Sequence, residues 1–150
     1  METVILRKDA LKKIRQFSKT KYENEEKEVI GFLIGFFREE EIEITDIIIP
    51  EQTGDRTYVE VEEEVSLVNA LIKSNKKGTN EVCVGYFHSH PGYRAFLSAI
   101  DIETQVYWQK VNPRNIALVY DPIHSEVKAF RVEEVEDAFR EITVSIKIEN

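Results

Sequence analysis

The spacing of apolar residues changes along this chain, and the changes mark its elements. Thr3 to Arg7 reads as a short strand, after which Leu11, Ile14 and Phe17 recur at helical spacing behind Asp9, a capping residue. That spacing predicts a helix to about Thr20, with Lys8, Lys12, Lys13, Arg15 and Lys19 on its solvated face. After a polar connection, Val29 to Phe37 is apolar at both parities, the pattern of a strand covered on both sides. Glu41 to Ile49 gives a second strand, paired with the first as a hairpin through a turn near Arg38 to Glu40. Turn formers crowd Pro50 to Thr57, predicting an exposed loop, with Tyr58 to Val61 extended behind it.

Val65, Val68 and Ile72 then share one helical face, and Gly78 follows a Lys-rich end. Glu81 to Ser89 is again apolar at both parities, and Pro91-Gly92 forces a turn at its carboxyl end. A helix is predicted from Ser98 to about Lys110, stopped ahead of Asn112-Pro113. Strands over Ile116 to Tyr120 and Glu126 to Val132 come next. Ile142, Val144, Ile146 and Ile148 alternate with polar residues in a last one. Hairpins mixed with helical crossovers imply a mixed sheet flanked by helices, a three-layer α/β fold in a single domain over 1–150.

Charge and composition narrow the partners. Asp and Glu outnumber Lys and Arg by 28 to 20, so phosphate backbones are repelled and a basic or neutral polypeptide is the better partner than nucleic acid. The longest near-unbroken apolar run, Val29 to Phe37, is too short to span a bilayer. No signal-peptide pattern opens the chain, and the expectation is a cytoplasmic protein. A single cysteine, Cys83, can build neither an internal disulfide nor a thiolate zinc site, and it reads as a buried packing residue, as His124 reads as a surface loop residue. Tyr107 and Trp108 read as packing or pocket walls. Abundant charge with one Met and one Cys leans towards a heat-adapted source.

Chemistry concentrates in one stretch. His88 and His90 are two apart on a predicted strand, so both imidazoles leave the same face. Ser98 and Asp101 lie on one side of the opening turn of the next helix, which the turn at Pro91-Gly92 can fold back over the strand end. Two imidazoles and a carboxylate give zinc three protein ligands and leave a fourth position for water, the arrangement of a hydrolytic site. A free carboxylate is still needed nearby to carry the proton. Ser98-x-x-Asp101 is also a helix-start signature, and the two readings are compatible.

Taken together, His88-Ser-His90-Pro, seven residues, then Ser98-Ala-Ile-Asp101, with Glu28-Val-Ile-Gly-Phe-Leu-Ile-Gly35 upstream, resemble the JAMM motif of MPN-domain (MPN+) zinc metalloproteases. The resemblance runs from about Glu28 through Arg131. Val84 to Tyr93, Leu97 to Gln105 and Val119 to Ile123 look most like the deubiquitinating, proteasome-lid branch, and an archaeal member of it. The resemblance implies a cytidine-deaminase-like sheet, Zn2+ held by His88, His90 and Asp101, Glu28 as general acid/base and Ser98 as donor to the oxyanion. It also implies that Thr53, Gly54, Thr57 and Tyr58, in an insertion loop, pair with the extended tail of ubiquitin or a ubiquitin-like modifier, beside the aromatic wall of Phe96. Ala95-Phe96 stands where this branch commonly has Cys-Trp. The implied activity is release of such modifiers from lysines of protein conjugates, in association with a proteasome. Two alternatives stand beside it: hydrolysis of a sulfur-carrier protein adduct or extension, and a non-catalytic MPN scaffold.

Overall fold

The two strands that read as apolar at both parities pair with each other in one sheet. A computed structural model describes residues 2–25, 28–50, 58–75 and 78–150, and of Glu25, Tyr58 and Val59 the backbone alone. In chain order the elements are β1 (Thr3–Arg7), α1 (Lys8–Glu25), β2 (Ile30–Phe37), β3 (Glu41–Ile48), α2 (Tyr58–Asn75), β4 (Val82–Ser89), α3 (Ala99–Val111), β5 (Ile116–Asp121), β6 (Glu126–Val135) and β7 (Ala138–Glu149). The sheet order is β1-β3-β2-β4-β5-β6-β7, closed into a barrel where β7 returns to pair in parallel with β1. Parallel pairs β1–β3, β4–β5 and β1–β7 alternate with antiparallel ones, so the sheet is mixed and the class is α/β as the sequence implies.

Each face of the sheet has its own helices. Ala10, Leu11 and Ile14 of α1 pack with Leu6, Leu33, Ile44, Val84, Phe87 and Leu118 on one face. On the other, Val61, Val65, Val68 and Ile72 of α2 and Trp108 of α3 pack with Phe32, Ile34, Tyr86 and Val119. Helices on both faces let β2 and β4 carry apolar residues at both parities, since most positions of either strand are buried. Val84 and Tyr86 face opposite layers across Gly85. This glycine sits at φ 151°, where a Cβ would lie 1.9 Å from the Ile116 carbonyl oxygen. Only glycine lets β4 and β5 approach so closely at this irregular step.

Three details depart from the pattern. Tyr58 to Val61, expected to be extended, forms the first turn of α2, because Val61 continues the stripe of Val65, Val68 and Ile72 rather than a period of two. Phe17, expected on the buried face of α1, is 46% exposed, and Ser18, one position on, takes the buried place. Finally, α1 runs to Glu25, past the expected end near Thr20, through residues too polar to show periodicity.

Candidate metal centre and active-site cleft

The carboxyl end of β4, beside the start of β2, opens into a cleft of about 410 Å³ lined by Glu28, His88, His90, Phe96, Ser98, Asp101 and Trp108 among others. Alternation along β4 sends His88 and then His90 to the same face as Tyr86, towards α3, while Ser89 points to the opposite side. His90 lies just past β4 but keeps the ladder going, its N–H donating to the Tyr120 carbonyl at 2.8 Å.

Asp101 meets the two imidazoles from α3. Ser98 is the N-cap of that helix: its hydroxyl accepts from the Asp101 N–H at 3.2 Å, and Asp101 Oδ2 accepts from the Ser98 N–H at 2.9 Å. The capping box therefore fixes the rotamer of Asp101, and the same Oδ2 stands 3.3 Å from His88 Nε2 and 3.2 Å from His90 Nε2. These three residues are the one group among the described residues whose ligand atoms could hold a metal ion, all within 4.8 Å of one another.

A cation fits this set. With zinc–ligand bonds of about 2.0–2.1 Å, neighbouring corners of a tetrahedron stand about 3.3 Å apart, close to the two separations measured. His88 Nε2 is buried without a hydrogen-bond partner, a costly state that a metal bond relieves. His90 Nδ1 donates to the Arg94 carbonyl at 3.1 Å, which leaves Nε2 as the nitrogen that faces Asp101 and the ligand position.

Protonation without the ion follows from burial and charge. Burial drives His88 down to about 4, against the pull of Asp101, so it is neutral at pH 7. Burial works the same way on His90, but its hydrogen bonds to Asp101 and the Arg94 carbonyl outweigh it and raise its pKa. Asp101 is lowered: burial opposes its charge, but the His90 bond and the Ser98 cap more than compensate. Glu28 has an exposed side chain at the mouth of the cleft, yet partial desolvation by the cleft walls pushes its carboxyl up, opposed by His90 and reinforced by Asp101.

Glu28 is placed by backbone pairing. Val29, next to it, donates its N–H to Ser89 Oγ at 2.8 Å and accepts at its carbonyl from the Ser89 N–H at 3.0 Å. Ser89 is fully buried, and it ties the segment carrying Glu28 to the strand carrying both histidines. Sequence reading missed this residue, although alternation alone puts the residue between two inward ligands on the opposite face. Asp121 was also missed. Fully buried, it accepts from the N–H groups of Gly92 and Arg94 at 2.9 Å each, so it shapes the turn that presents the Arg94 carbonyl to His90. His124, exposed in a turn as expected, donates through Nδ1 to the same carboxylate at 2.6 Å. These bonds hold Asp121 far below the usual carboxylate range despite its burial.

Of the other expected residues, Phe96 lines the cleft with its ring 4.9 Å from that of His90. Trp108 stacks on Tyr86 at 5.1 Å and walls the inner end. Cys83 is buried, its thiol pushed up to about 12 by desolvation. Thr53, Gly54, Thr57 and the side chain of Tyr58 lie outside the described residues.

The sequence profile of the JAB1/Mov34/MPN/PAD-1 ubiquitin protease family matches residues 1–114. The 26S proteasome regulatory subunit RPN11 of Eremothecium gossypii is 34% identical over 124 residues, 82% of this chain and 39% of its own length. Ubiquitin carboxyl-terminal hydrolase RPN11 of Saccharomyces cerevisiae gives the same identity and coverage, and the 26S proteasome non-ATPase regulatory subunit 14 of Drosophila melanogaster is 35% identical over 81% of this chain and 38% of its own. The chain thus spans about two fifths of the length of these relatives.

Proposed function

Since the chain belongs to the JAB1/Mov34/MPN/PAD-1 ubiquitin protease family, we propose that it is a zinc-dependent isopeptidase that removes ubiquitin or ubiquitin-like small modifiers from lysines of protein conjugates. The observation that carries this reading is the meeting of His88, His90 and Asp101 at one end of a cleft that also holds Glu28 and Ser98. His88, His90 and Asp101 would hold the zinc, which when bound supplies Lewis-acid activation of water and of the scissile carbonyl. The Glu28 carboxylate takes the proton of the attacking water and returns it to the leaving lysine amine. Its raised pKa suits the first half of that task, because a stronger base accepts the proton more readily.

Ser98 accepts its cap bond through oxygen, so its hydroxyl hydrogen is left to donate to the developing oxyanion. Asp121, through the Arg94 carbonyl, keeps the His90 proton on Nδ1. Phe96 and the loop residues Thr53, Gly54, Thr57 and Tyr58 receive the modifier's extended tail. The relatives' names, a proteasome regulatory subunit and a ubiquitin carboxyl-terminal hydrolase, support hydrolysis at ubiquitin in the company of a proteasome.

Glu28→Gln is the test. The variant is expected to keep its fold and its zinc while losing at least about a hundredfold in cleavage of lysine-linked ubiquitin and small-modifier conjugates. Unchanged turnover in the variant removes Glu28 from the chemistry. Zinc-loaded wild type that cleaves no conjugate of the panel points to a binding scaffold instead.

A further inference from the structure

The segment joining His90 to Ser98 is gripped by carboxylates from a part of the chain that the family match, ending at residue 114, does not reach. Besides Asp121, two glutamates take part. The Ala95 N–H donates to Glu126 Oε1 at 2.8 Å, and the Leu97 N–H donates to Glu141 Oε1 at 3.0 Å. Glu126 opens β6, and Glu141 lies in β7 opposite Val132. Both amides, two residues apart, thus donate to the β6–β7 hairpin. Ala95 and Leu97 turn buried side chains into the α2–α3 layer, and Phe96 between them faces the cleft. Bonds to ionised acceptors are about twice as strong as neutral ones, so this is a firmer hold than a surface loop of nine residues obtains from its own backbone.

We propose that Glu126 and Glu141 are positioning residues for catalysis, which by pinning Ala95 and Leu97 set where Ser98 presents its hydroxyl and where Phe96 stands beside His90. The inference rests on the reading of Ser98 as the oxyanion donor. It makes the carboxyl-terminal hairpin a working part of the active site rather than only the closure of the barrel. Neither glutamate side chain is in the core, and both sit on strands whose ladders use backbone atoms alone, so removing them leaves the barrel pairing intact.

The test compares the pair Glu126→Ala/Glu141→Ala with the pair Glu126→Gln/Glu141→Gln, whose amide oxygens still accept. Two readouts are taken on the zinc-loaded protein: amide hydrogen exchange at Ala95 and Leu97 by NMR, and turnover of a ubiquitin conjugate carrying a fluorophore on the leaving lysine, with and without Ser98→Ala. The alanine pair is expected to speed exchange at both amides and lower kcat about tenfold while zinc content stays at the wild-type level. The glutamine pair stays near wild type. In the Ser98→Ala background the alanine pair is expected to lower kcat by clearly less than tenfold, since the share acting through Ser98 is already lost. Unaltered exchange, an equal loss in the Ser98→Ala background, or a glutamine pair as slow as the alanine pair each overturns the proposal. Should Ser98→Ala alone turn over at the wild-type rate, the role given to Ser98 fails and the positioning proposal fails with it, whereas zinc binding and Glu28 chemistry stand.

Discussion

Replacing Ser89 by alanine separates the placement of Glu28 from the binding of metal. The Ser89 hydroxyl is fully buried and accepts the Val29 N–H at 2.8 Å. Its loss leaves a buried amide without an acceptor, a cost of about 1–3 kcal/mol. For a chain of this length each kcal/mol lowers the melting temperature by about 2–4 °C, so a fall of several degrees is expected by calorimetry. The more telling effect is on rate. Val29 follows Glu28 directly, and freeing that amide lets the carboxylate drift from its position over the cleft, where an error of about 1 Å costs up to about a hundredfold. His88 and His90 leave the other face of the strand and keep their Asp101 contacts. Ser89→Ala is therefore expected to bind one zinc per chain, as measured by elemental analysis, while kcat falls by about tenfold or more. Zinc loss in step with activity, or wild-type turnover in a destabilised variant, refutes the reasoning.

Two further outcomes follow from protonation. In chelated protein, His88 titrates at about 4 folded and at its ordinary 6.5 unfolded, so the unfolded state binds more protons between those values. Stability is then fully present above pH 6.5 and falls as pH drops towards 4, by up to about 3 kcal/mol from this group. His88→Gln should flatten that part of a denaturant-midpoint profile, and an unchanged slope contradicts the assignment. Cys83 is buried with its thiol raised to about 12, so iodoacetamide should leave both the folded protein and its activity untouched. Inactivation by that reagent before unfolding would count against a thiol-independent mechanism.

Local signals carried much of the architecture. The strands at Ile30–Phe37 and Val82–Ser89 were legible because burial on both faces makes them apolar at both parities over most of their length. The strict alternation of Ile142 to Ile148 revealed β7 for the opposite reason. What stayed hidden was long-range. Nothing local to Thr3–Arg7 announces that it pairs with both β3 and β7, and so closure of the barrel was not foreseen. The start of α2 was misjudged because Tyr58 to Val61 mixes β-branched and aromatic residues with a charge, and its helical stripe becomes visible only with Val65 and beyond. At the site, the cluster of His88, His90 and Asp101 could be read from spacing, since strand and helix geometry alone bring the three to one side. Ser89, Asp121, Glu126 and Glu141 could not, because what each does depends on which backbone amide lies opposite it in space.

Anomalous diffraction at the zinc edge, from crystals grown with the metal, tests the central claim most directly. One peak per chain is expected, about 2.0–2.1 Å from the Nε2 atoms of His88 and His90 and from a carboxylate oxygen of Asp101. A peak on other residues, or none with zinc in excess, contradicts the account.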